Sequence, residues 1–123
     1  MKIEDKQLLL QELSSRLPYG VICKDTNINV TGTLSQIGLH YDMCVLDKDN
    51  GDSESCYILN CKPYLFPLKS MTEEQLLELS SISFENSIDS SIKTINWCYK
   101  NHFDVNGLIP MGLAKDATNK NIY

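Results

Sequence analysis

Apolar positions at the start of the chain recur at helical spacing. Leu9, Leu10, Leu13 and Leu17 lie three or four residues apart, which gathers them on one face of a helix from about Glu4 to Leu17. Glu4 and Asp5 stand at the positive end of its dipole and Arg16 at the negative end. Pro18 stops the helix, because a proline pushes the residue before it out of the helical region. The leucine face predicts core packing.

The period then shortens to that of strands. Tyr19 to Lys24 is rich in β-formers and predicts a first strand, ended by the turn cluster Asp25-Thr26-Asn27. Val30 to Ile37 predicts a second strand with imperfect alternation, in which Gly32 marks a bulge or a bend. Asp42 to Asp47 predicts a third. Lys48 to Ser55 is the most polar segment, and its Asn50-Gly51 pair suits a hairpin turn whose two central residues both take positive φ. Cys56 to Cys61 predicts a fourth strand. Pro63 and Pro67 remove ladder donors, so Lys62 to Leu68 is expected as an edge strand or an extended segment lying on the fold.

From Thr72 the pattern is helical again. Thr72 with Gln75 forms a capping box, Met71 and Leu76 can staple the first turn, and Glu73 and Glu74 suit its dipole. This helix is expected to run to about Ser80. A further helix is predicted from about Ser87 to Lys100, where Ile88, Ile92, Ile95 and Tyr99 repeat on one face. Trp97 lies off that face, placed to cover a second surface. Asn106-Gly107 is a turn, Leu108 to Ala114 a short apolar turn or strand, and Asp116 to Tyr123 a polar tail expected to fray. The fold class is α+β in one domain over 1–123. It comprises an N-terminal helix, an antiparallel meander of about four strands as a small barrel or open sheet, and two C-terminal helices.

Charge narrows the functional classes. The 123 residues carry a formal net charge of −5 and Arg16 is the only arginine, so a non-specific nucleic-acid binder is disfavoured. The polar, acidic start is unlike a secretory signal, and no apolar run approaches the roughly 20 residues of a membrane span. Five cysteines, an odd number, are then expected as reduced thiols in a cytoplasm.

Several phrases carry a resemblance. They are Leu17-Pro18-Tyr19-Gly20-Val21, Lys62 to Leu68 followed by Ser70-Met71-Thr72-Glu73-Glu74, and Asn101-His102-Phe103-Asp104 with Gly107-Leu108-Ile109. Gly112-Leu113-Ala114 and Asn121-Ile122-Tyr123 complete the set. Together the chain resembles small uncharacterised proteins of Bacteroides-type bacteria and their phages or prophages. It departs from them at Pro110-Met111, where a polar pair continuing a helix is expected. The resemblance implies a mobile-element setting and no particular chemistry.

Candidate chemistry is sparse. No G-x-G-x-x-G and no phosphate-binding loop is present, and no cofactor is implied. Cys56 and Cys61 are five apart within one predicted strand, which points them to opposite faces, and Cys23, Cys44 and Cys98 are isolated. Small buried hydrophobes are expected and no metal site. Asp47, Asp49, Asp52 and Glu54 miss the spacing of a calcium loop and read as a solvated hairpin tip. A cysteine or serine nucleophile needs a histidine base, and the only histidines are His40, two residues before Asp42, and His102, two before Asp104. Lys62, Tyr64, Phe66 and Lys69 combine cations with aromatics and form the expected contact surface, for a protein or for single-stranded nucleic acid. The leading expectation is a non-enzymatic accessory protein with a protein partner. A small-barrel module for single-stranded nucleic acid and an enzyme using His102 or His40 are the alternatives.

Overall fold

The computed structural model describes residues 3–38, 42–84 and 87–123. Helix α1 spans Ile3–Arg16 and passes through a single 3-10 turn, Leu17–Tyr19, into the sheet. Gly20, at φ +67°, makes the left-handed exit that a β-carbon would strain. The strands are β1 (Ile22–Asp25), β2 (Val30–Gly38), β3 (Met43–Asp47), β4 (Ser53–Tyr57), β5 (Cys61–Leu65) and β6 (Lys115–Asp116). Helices α2 (Glu73–Ile82) and α3 (Ile88–Lys100) lie between β5 and β6.

The architecture is α+β as expected, but the strand count and the purely antiparallel pairing need correction. The sheet has six strands in the order β4-β3-β2-β1-β5-β6, and β6 joins β5 in parallel. The expected fourth strand is three things: the end of β4, a 3-10 turn at Ile58–Asn60, and the start of β5. That turn holds no glycine or proline, so its residues read as strand. Nor is β5 an edge. It lies between β1 and β6, with Pro63 opposite Cys23 and one residue before the β6 pairing begins.

The Ile58–Asn60 turn also sets the curvature. Four strand spacings separate β4 from β5, about 19 Å on a flat sheet. Four residue steps reach only about 14 Å. The sheet must therefore curl, and the turn closes the curled end. Ile58 N–H donates to the Asp42 carbonyl at 2.8 Å, and Thr26 N–H donates to the Asn60 carbonyl at 3.0 Å. In its ladders the sheet remains open.

The inner face of the curl carries Cys23, Leu34, Cys44, Leu46, Cys56 and Cys61, and Leu9 and Leu13 of α1 pack over it with Ile58 and Leu65. The leucine face of α1 is thus core, as its spacing predicts. A second cluster joins Trp97, Cys98 and Phe103 to Phe66, Met71, Leu79 and Ile82, and fixes α2 and α3 to the exit of β5. The capping box at Thr72 forms in both directions, and Ser87 caps α3. The 115–123 segment is tied down rather than frayed. Ala117 is buried, and the Tyr123 hydroxyl accepts from Ile22 N–H and donates to the Tyr64 carbonyl, at 2.9 and 2.7 Å.

Candidate contact surface

The four residues expected to make a contact surface do not share one exposed face. Tyr64 is only 9% exposed. Phe66 is half-buried, its ring 6.2 Å from Phe103 and 5.9 Å from Tyr123 by centroids. Lys62 is half-buried on β5, while Lys69 is exposed beyond it. Lys69 borders a shallow groove of about 410 Å³ with Pro67, Leu68, Ile109, Pro110 and Asp116. No row of free aromatic faces runs along β5, so the stacking platform of a single-strand binder is not built there.

The histidine and cysteine readings resolve by geometry. His102 takes φ +64°, stacks on Tyr123 at 3.6 Å and 8°, and has no hydrogen-bond partner for Nδ1 among the described residues. Burial, with the Arg16 guanidinium nearby, lowers its pKa to about 4, so the ring is neutral near pH 7. Asp104 does not orient it. Both Asp104 carboxylate oxygens accept backbone N–H bonds, from Leu108 at 2.8 Å and Ile109 at 2.9 Å. His40 lies outside the described residues. Asp42 pairs with Lys6 of α1.

All five cysteines are free and buried. The 3-10 turn between β4 and β5 brings Cys56 and Cys61 into the same core instead of onto opposite faces. Cys23, Cys44 and Cys61, far apart in sequence, meet inside the curl. The Cys44 thiol is pushed up by its hydrogen bond to Cys61 and by burial, and burial pushes Cys56 up to about 12. These thiols stay protonated and make poor nucleophiles. Among the described residues no group of three His, Cys, Asp or Glu side chains could hold a metal ion. The acidic loop is a hairpin tip, with Lys48 paired to Glu54 at 3.2 Å, although only Gly51 of its Asn-Gly pair takes positive φ.

An apolar surface does exist, on α3. Ile88 is 81% exposed, Ile92 52% and Ile95 46%. Their spacing of four and three places them on one face. Trp97 points half a turn away and takes the inner position. It stacks on Phe103 at 5.7 Å and 13°, and its Nε1 donates to Glu78 of α2 at 3.0 Å. Trp97 thus anchors the helix from off the isoleucine row, and the row itself faces outward. Tyr99, at the end of the row, is drawn inward beneath the Arg16 guanidinium, 4.7 Å from its ring centroid. Leu76 and Leu77 of α2 and Phe84 after it are exposed as well, and α2 has no fully buried residue.

No helix of the described residues is long and apolar enough to cross a membrane. Comparison with protein-family models, with curated proteins and with solved structures returns no match.

Proposed function

We propose that this chain is a non-enzymatic accessory protein that acts by protein–protein contact, in the mobile-element setting its sequence phrases imply. The observation that carries the reading is the outward isoleucine row of α3. A helix whose regular apolar face is turned to solvent forgoes the stabilisation of burying it, about 25 cal/mol per Å². Such a face on an otherwise well-packed helix marks an interaction site. Elsewhere in the fold, the buried thiols of Cys44 and Cys56 are held protonated and Asp104 accepts backbone N–H bonds, which supports a binding role.

The test is a photo-crosslinking residue placed at Ile92, with a second protein carrying it at exposed Asp52 of the β3–β4 hairpin tip as control. In native host lysate, polypeptide adducts are expected at position 92 and not at 52. A folded protein that gives no polypeptide adduct at 92 overturns the reading.

A further inference from the structure

We propose that Asn50 is a site of spontaneous deamidation and that the fold shields Asn106, the asparagine of the other Asn-Gly pair in the sequence. Both pairs offer the same covalent chemistry, because a glycine places no side chain in the path of its own nitrogen. What differs is the hold on each side-chain amide.

At the β3–β4 tip, Asn50, Gly51 and Asp52 are all exposed. Asp52 N–H donates to Asn50 Oδ1 at 2.9 Å. The ring closed by that bond contains both Cγ of Asn50 and the nitrogen of Gly51, so electrophile and nucleophile are held in one short loop. The same N–H stands where negative charge develops on Oδ1 as the nitrogen adds. Gly51 N–H donates to the Lys48 carbonyl at 3.1 Å. That bond opens before the attack, a local event at the tip that leaves the ladder in place.

The reaction needs only water and a solvent base. Gly51 N–H gives up its proton and the nitrogen bonds to Asn50 Cγ. The bond from Cγ to Nδ2 breaks, and that nitrogen takes up a proton and leaves as ammonia. Water then adds to one of the two imide carbonyls and breaks its bond to the Gly51 nitrogen, which is protonated again. Cleavage at Cγ leaves aspartate. Cleavage at the backbone carbonyl leaves isoaspartate, with the chain running through Cγ. Either product adds a carboxylate between Asp49 and Asp52. Asn106 is held otherwise. Its Nδ2 donates to Glu12, a side chain only 2% exposed, which ties the leaving nitrogen to α1. An aspartate formed there would oppose its carboxylate to that of Glu12.

The test incubates the purified chain in mildly alkaline buffer, native and in concentrated urea. Both sites are followed by peptide mapping that separates aspartate from isoaspartate. In the native protein Asn50 should convert at least about tenfold faster than Asn106, because only the tip opens without disturbing the core. In urea the two should convert within about threefold of each other, since the hold of Glu12 is lost with the fold. Equal native rates at the two sites overturn the proposal, as does a native chain in which Asn50 stays intact while both sites convert in urea. A preference for Asn50 as large in urea as in the native chain overturns the shielding of Asn106 by the fold.

Discussion

Arg16 is fully enclosed, and its charge is met on three sides. Nε donates to Glu12 at 2.9 Å, Nη2 donates to the Phe103 carbonyl at 2.7 Å, and the plane lies over Tyr99. Glu12 also accepts from Asn106. One side chain thus ties α1 to α3 and to the turn that follows it. Removing one member of a buried ion pair strands the other, at a cost of about 3–5 kcal/mol. Arg16→Met should lose that much in urea denaturation. The double variant Glu12→Leu with Arg16→Met should lose less than the single. A double variant at least as unstable as Arg16→Met would show that the charge is not what holds the site. The pair itself is legible, since Glu12 and Arg16 stand four apart on a helix. Its partner Phe103, 87 residues away in the chain, is not.

Between elements, Gly32 shows how closely β2 and β3 approach. A β-carbon there would meet the Asp47 carbonyl oxygen at 2.6 Å, and backbone cannot swing aside as a flexible side chain can. Gly32→Ala should cost about 1–3 kcal/mol by overpacking, read as a lowered urea midpoint with the fold retained. Sequence marked Gly32 as a bulge or bend, whereas the irregularity falls between Leu34 and Gln36 and the glycine serves a close approach. The helices teach a related lesson. Capping at Thr72 was readable because caps are local chemistry. Which face of α3 turned inward was not, because periodicity locates an apolar face without naming what covers it. Trp97 wins the inner position because one large aromatic surface stacks on Phe103 and keeps its N–H bonded to Glu78. The same limit hid the 3-10 turn at Ile58–Asn60, which opens on the apolar pair Ile58-Leu59 and holds no glycine or proline.

Across the whole molecule, His102 and Tyr123 fasten the end of α3 to the β1–β5 seam. The Tyr123 residue is 43% exposed, yet its hydroxyl is enclosed between Ile22 and Tyr64, and burial raises its pKa. His102 stacks on this ring, and its burial, with the Arg16 guanidinium nearby, disfavours a positive charge on the imidazole. Its folded pKa of about 4 lies below the ordinary 6.5. Between those values the unfolded chain binds a proton that the folded chain refuses, so stability falls as pH drops through that window and His102 adds no further loss below it. His102→Asn, which tolerates the same positive φ and cannot titrate, should lose that part of the slope. Equal decline of the urea midpoint in both proteins from pH 7 to pH 5 would refute the assignment.

The seam has a temporal consequence. The three hairpins from β1 to β4 join near neighbours, so they need only short loops to close. The β1–β5 ladder, by contrast, joins Cys23 to Pro63, and its continuation at Ile22 and Tyr64 is bridged by a residue 101 positions from Ile22. Loop closure makes such joins the slowest to form. A chain leaving the ribosome can therefore assemble its meander early, whereas the Tyr123 bridge between Ile22 and Tyr64 forms only after the 115–123 segment has been synthesised.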